Sequence, residues 1–121
     1  MTIKRLGFDF SICTVKDFST VKTDDNFCFF SKTDEEQSLV CITNNVPDNT
    51  IKRSDGWKAF RIQGVLDFSL IGILSRISAL LADNSIGVFV VSTYNTDYIL
   101  TNKKDYDKAL EILSNNGYEV I

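Results

Sequence analysis

The feature that most restricts this chain is an abrupt change of hydrophobic period. Between positions 70 and 83, Leu70, Ile73, Leu74, Ile77, Leu80 and Leu81 fall on one stripe at helical spacing, with Ser75, Arg76, Ala79 and Asp83 opposite. The next run, Ile86-Gly87-Val88-Phe89-Val90-Val91-Ser92-Thr93, is β-branched and has no helical period. A one-sided helix beside a strand has to cover a sheet, and at ~1.5 Å per residue it is long enough to span several strands. This predicts an α+β protein.

The rest of the second half extends that pattern. Residues 57–63 read as a strand with apolar residues on both faces, and 64–69 as a connecting loop. The run 86–93 and a second run, Tyr98-Ile99-Leu100-Thr101, flank Asn95-Thr96 and predict a hairpin. Helical spacing returns over 105–116, with Tyr106, Ala109, Leu110 and Leu113 on one face and Gly117 placed as a left-handed cap. Residues 118–121 read as a last strand. The order is βαββαβ, the ferredoxin-like arrangement.

The first half is β-rich. Leu6, Phe8, Phe10 and Ile12 alternate with Gly7, Asp9 and Ser11, which predicts a strand over 5–15. Further strands are expected at 27–31 and 38–43, separated by the polar stretch Thr33-Asp34-Glu35-Glu36. The segment 17–26 is polar and too short for more than a turn or a stub of helix. Turn formers, with the single proline Pro47, crowd 44–56 and mark the expected boundary between residues 1–56 and 57–121. At 121 residues the chain holds one compact domain or two very small subdomains.

Charge and composition narrow the function. Thirteen basic against sixteen acidic residues, with no Lys or Arg run longer than two, argue against a nucleic acid partner. The longest apolar stretch falls short of the ~20 residues that cross a bilayer, and Met1-Thr2-Ile3-Lys4-Arg5 does not lead into a signal-peptide core, so no membrane association and a cytoplasmic location are expected. Cys13, Cys28 and Cys41 are widely spaced among β-forming neighbours and read as reduced core thiols. With no histidine there is no Cys/His or Ser/His pair and no imidazole ligand for zinc. Asp34-Glu35-Glu36 lacks the spacing of a calcium loop, and no Gly-rich phosphate loop occurs. A non-enzymatic protein without metal or cofactor is expected.

The element order, together with Val65-Leu66-Asp67-Phe68-Ser69-Leu70-Ile71-Gly72-Ile73-Leu74, Ile86-Gly87-Val88-Phe89 and Ser92-Thr93-Tyr94-Asn95-Thr96-Asp97-Tyr98-Ile99-Leu100, resembles the ACT domain family. Within it the chain is most similar to the small tandem ACT-like proteins related to the CASTOR arginine sensors, and Thr33-Asp34-Glu35-Glu36-Gln37-Ser38-Leu39-Val40-Cys41 resembles that group's N-terminal motif. The resemblance implies two tandem ACT-like, ferredoxin-like units, the N-terminal one incomplete. It also implies a sensor that takes up an amino acid or similar small metabolite at a domain or subunit interface, for allosteric regulation, as a homodimer. By motif match the ligand-binding residues are Asp67, Phe68, Ser69, Leu70 and Gly72 on the loop side, Gly87 and Val88 on a facing strand, and Thr93, Tyr94 and Asp97.

Each of these residues also has a plain structural reading. Ser69 or Asp67 is placed to cap the long helix. Gly72, in a first helical turn, costs about 1 kcal/mol against alanine, which points to close approach of a ligand or of another chain. Asp97 is ordinary turn chemistry or an unpaired carboxylate for an ammonium or guanidinium, and Tyr94 is a core aromatic or the cover of a ligand. The rival to a sensor is an interaction module that keeps the fold without a pocket.

Overall fold

Residues 1–64 and 71–121 are described in a computed structural model. In chain order the elements are β1 (Thr2–Val15), β2 (Cys28–Lys32), β3 (Gln37–Ile42), a 3-10 turn (Thr43–Asn45), β4 (Thr50–Ile62), α1 (Ile73–Asp83), β5 (Phe89–Ser92), β6 (Asp97–Asn102), α2 (Lys103–Asn115) and β7 (Glu119–Val120). The fold is α+β, and two stretches depart from the sequence reading. β1 begins at Thr2, and β4 runs through the segment 50–56 that the turn formers marked as a boundary. The reason is burial: residues 51–56 of β4 are all exposed, so no buried face imposes an alternation that a sequence could display.

The chain divides into two compact units, one of Met1–Gly7 with Lys58–Ile121 and the other of Phe8–Trp57. β1 and β4 contribute to both.

In the first unit the strands are ordered β1-β4-β6-β5, and β7 pairs in parallel with β1 through Thr2↔Glu119 and Ile3↔Val120. The expected βαββαβ order of elements is present, yet its last strand lies on β1 and not on β4. The amide of Gln63 donates to the carbonyl of Thr2 at 2.9 Å, and that of Ile121 to Ile3 at 2.9 Å, so the start of β1 is bonded on both edges. Phe60 and Ile62 of β4, Ile99 of β6 and Ile3 of β1 form one core with Ile77 and Leu81 of α1 and with Tyr106, Ala109, Leu110 and Leu113 of α2. The helical residues in that core recur at i+3, i+4 and i+7, which is why the periodicity was readable.

Both helices end alike. The amide of Ile86 donates to Leu81 and that of Ser85 to Ala82, both at 2.9 Å; at the end of α2, Tyr118 donates to Leu113 at 3.1 Å and Gly117 to Ser114 at 3.3 Å. These are Schellman ends, each needing a left-handed residue, supplied by Ser85 (φ 60°) and Gly117 (φ 92°).

In the second unit the order is β2-β3-β1-β4. Cys13, Val15, Leu39 and Cys41 make a small core, with Phe18, Val21, Cys28 and Val46 packed against it. The hairpins of the two units correspond at a constant offset of sixty positions: Lys32↔Gln37 closes one and Ser92↔Asp97 the other. In each, a threonine amide, Thr33 or Thr93, donates to the carbonyl three residues on, at 2.9 Å. β3 and β6 even bury their three successive residues at the same places. The correspondence ends there, since β3 leads into a single 3-10 turn and β6 into α2.

Candidate functional site

α1 starts at Gly72, whose φ of 79° and ψ of 2° no residue with a side chain adopts without strain. This corrects the expectation for Gly72 in two ways. It is the N-cap and not part of the first turn, and its left-handed backbone by itself selects glycine; among the described residues a Cβ added there would meet nothing within 4 Å. Having no side chain, Gly72 does not cap the amides that open α1, while its carbonyl accepts the amide of Arg76 at 3.0 Å. The expected cap from Ser69 or Asp67, and the site residues Asp67, Phe68, Ser69 and Leu70, lie outside the described residues.

Beside this helix start is a cavity of about 220 Å³, lined among others by Ile71, Gly72, Arg76, Asn116 and Tyr118. It joins a guanidinium to the positive end of a helix, an arrangement suited to a carboxylate. Ile71 is 90% exposed at its rim. Sequence reasoning passed over Arg76 and Tyr118. Arg76 stands four residues after Gly72, so the two share one side of the first turn, and that spacing was the available signal.

Thr93, Tyr94 and Asp97 are brought together in the β5–β6 hairpin. Ser92 Oγ donates to Asp97 Oδ1 at 2.5 Å, so this carboxylate is not the unpaired group considered from sequence. Thr93 Oγ1 donates to the carbonyl of Thr96 at 3.2 Å, and Thr96 Oγ1, buried, donates to the carbonyl of Ile62 at 2.7 Å. The turn is thereby fastened to the end of β4. Tyr94 is 80% exposed, a correction to its reading as a core aromatic. Gly87 and Val88 precede β5, which begins at Phe89, and so are not on a strand; Gly87 is exposed, and Val88 packs half-buried against the core. None of Gly87, Val88, Thr93, Tyr94 and Asp97 lines the cavity at Gly72.

The second unit holds the thiols. Cys28 and Cys41 are cross-strand partners, and Cys13 Sγ donates to the carbonyl of Leu39 at 3.5 Å. Burial raises all three thiols, Cys41 to about 12, with Cys13 and Cys28 beside it adding to the shift. They are protonated at neutral pH and weak nucleophiles. Next to them Ser11 Oγ donates to Asp55 at 2.5 Å and accepts from Thr43 at 2.9 Å. Asp55 is held below the usual carboxylate range by the hydrogen bond from Arg53 and then by that from Ser11. No group of three His, Cys, Asp or Glu side chains able to hold a metal occurs among the described residues, and no helix among them is long and apolar enough to cross a membrane.

A family model described as ACT domain matches residues 52–115. No curated protein sequence matches the chain. Among solved structures, a protein of Agobacterium tumefaciens is similar at 28% identity and a TM-score of 0.88, over 99% of this chain and 91% of its own. A Vibrio cholerae protein is similar at 18% identity and a TM-score of 0.73, over 93% of this chain and 86% of its own. The aspartate kinase of Clostridium acetobutylicum, an allosteric enzyme, is similar at 11% identity and a TM-score of 0.66; 93% of this chain matches 33% of the kinase. At such identities the last two speak for the fold alone.

Proposed function

Because this chain belongs to the ACT domain family, we propose that it is a regulatory module that binds an amino acid or a similar small metabolite. The observation that carries this reading is the start of α1, where Gly72, a cap with no side chain of its own, stands beside a cavity that also presents Arg76. A ligand carboxylate would be held there by charge-assisted hydrogen bonds. Thr93, Tyr94 and Asp97 do not reach that cavity, which fits a site completed by a second copy of the chain, the hairpin of one subunit facing the helix start of the other. A homodimer is therefore part of the proposal. The matching hairpins support reading the N-terminal unit as an ACT-like unit that has lost its helices. The ligand acts by binding one arrangement of subunits better than another, since only differential affinity shifts such an equilibrium.

The test is thermal unfolding against a panel of amino acids, with arginine first because of the resemblance to the arginine sensors. A ligand at 100 times its dissociation constant adds about 2.7 kcal/mol to the folded state. We expect a selective shift for one compound, lost in Arg76→Gln and weakened in Asp97→Ala. No shift with any amino acid, in a chain that stays folded and dimeric, would favour the pocketless interaction module. The exposure of Ile71 and Tyr94 supports that second reading, and it predicts that Tyr94→Ala lowers dimer affinity in sedimentation velocity.

A further inference from the structure

The thiols of the second unit stand on one face of its sheet. Cys28 and Cys41 are cross-strand partners, and Cys13 pairs with Leu39, two residues before Cys41 on β3. The turn between β2 and β3 fixes what kind of pair Cys28 and Cys41 make. The amide of Thr33 donates to the carbonyl of Glu36 at 2.9 Å, so the amides of β2 that point to β3 are those of Ser31 and Phe29, two and four residues back. Cys28 and Cys41 are therefore a non-hydrogen-bonded pair, the closer of the two kinds, with Cα atoms ~4.5 Å apart. A disulfide bridges Cα separations of ~4.4–6.8 Å. Cys13 is diagonal to Cys41, a relation that puts Cα atoms ~7–8 Å apart, beyond that reach. Access differs in the same sense: β2 is the end strand of the sheet order and Cys28 is half-buried, while Cys13 and Cys41 are buried.

We propose that Cys28 and Cys41 are a site of oxidative modification, at which a peroxide converts the two thiols into a disulfide that fastens β2 to β3. The thiolate of Cys28, the more accessible of the two, attacks one peroxide oxygen; the O–O bond breaks, the sulfur becomes a sulfenic acid, and the departing oxygen takes a proton. The thiolate of Cys41 then attacks that sulfur, the S–S bond forms, and the sulfenic oxygen leaves as water. Two thiols have lost two electrons and two protons, and hydrogen peroxide has been reduced to two molecules of water. Burial keeps both thiols protonated at neutral pH, so the pair answers sustained and not brief exposure. The inference stands independently of the amino-acid site.

The probe is hydrogen peroxide in excess over the reduced, folded chain, followed by alkylation of the remaining thiols and tryptic peptide mapping by mass spectrometry. Cleavage after Lys16, Lys22, Lys32 and Lys52 leaves Cys13, Cys28 and Cys41 in three different peptides, so each possible linkage is distinct. The titratable thiols should fall from three to one, with the Cys28 and Cys41 peptides joined and the Cys13 peptide alkylated. Dithiothreitol should restore all three. A Cys13→Val chain should form the same bond, and a Cys28→Ser chain should form none within the chain. The proposal is overturned if all three thiols survive peroxide that oxidises free glutathione alongside. It is equally overturned by a bond that includes Cys13, by one between two chains, by sulfinic or sulfonic acids without a linkage, or by a linkage that forms only in urea.

Discussion

Cys41 shows how a residue's chemistry is set by its place in the fold. Its sequence neighbours predicted a packed thiol, and it is buried between β1 and β2 on β3. What the sequence could not display is the company of Cys13 and Cys28, which only strand pairing provides. The raised value links ionisation to stability. The folded thiol ionises at about 12, the unfolded one near its ordinary ~8.5, so the fold prefers the neutral form. That stabilisation is complete below pH ~8.5 and is lost as pH rises towards 12. Urea midpoints measured between pH 7 and 10.5 should therefore fall faster for the parent than for Cys41→Val, and parallel curves would show that Cys41 does not titrate differently in the two states. Other site residues were legible only as types. Asp97 was correctly placed beside a turn, but its partner Ser92 is fixed by the register of the hairpin. Gly72 drew notice for a cost within a helix, when the cause is a left-handed cap one position before it.

Among elements, those with a one-sided apolar pattern were readable and those without it were not. α2 emerged from periodicity, because a buried face enforces it, and the β5–β6 hairpin from two β-forming runs on either side of a polar link. The exposed first half of β4 offers no such face, and its Asp55-Gly56 pair imitates a turn. Helix ends belong to the readable class when glycine marks them, as Gly117 does. The end of α1 is the same motif built on Ser85, a residue with a Cβ at φ 60°. Left-handed backbone costs a non-glycine residue about 1–2 kcal/mol. Ser85→Gly should therefore raise stability by about 1 kcal/mol, and Gly117→Ala should lower it by about 1–2 kcal/mol, both read from urea unfolding. Among the described residues nothing lies within 4 Å of a Cβ added at Gly117, so the expected penalty is that of its left-handed backbone. A Ser85→Gly chain no more stable than the parent would mean that the serine hydroxyl offsets the strain.

At the scale of the whole molecule, the compact unit that holds both helices is not contiguous in sequence. Its sheet takes in the first residues of β1, and β7 is bonded to β1 and not to β4. Nothing in residues 57–121 reports this, because the βαββαβ order looks complete and the strand that enters it is more than fifty positions away. Ile3 is fully buried in the same core as Phe60, Ile77 and Leu113, so removing the N-terminus would take out core volume as well as hydrogen bonds on two edges. Losing a buried isoleucine alone costs about 2–5 kcal/mol, a large share of the ~5–15 kcal/mol that holds a domain folded. A fragment spanning 58–121 should therefore lack cooperative thermal unfolding despite containing both helices. Adding a peptide of residues 1–15 should restore a sharp transition whose midpoint rises with peptide concentration, as expected of a strand that binds only the folded state. If the fragment instead unfolds cooperatively by itself and ignores the peptide, β7 has found β4, and the unit is self-sufficient after all.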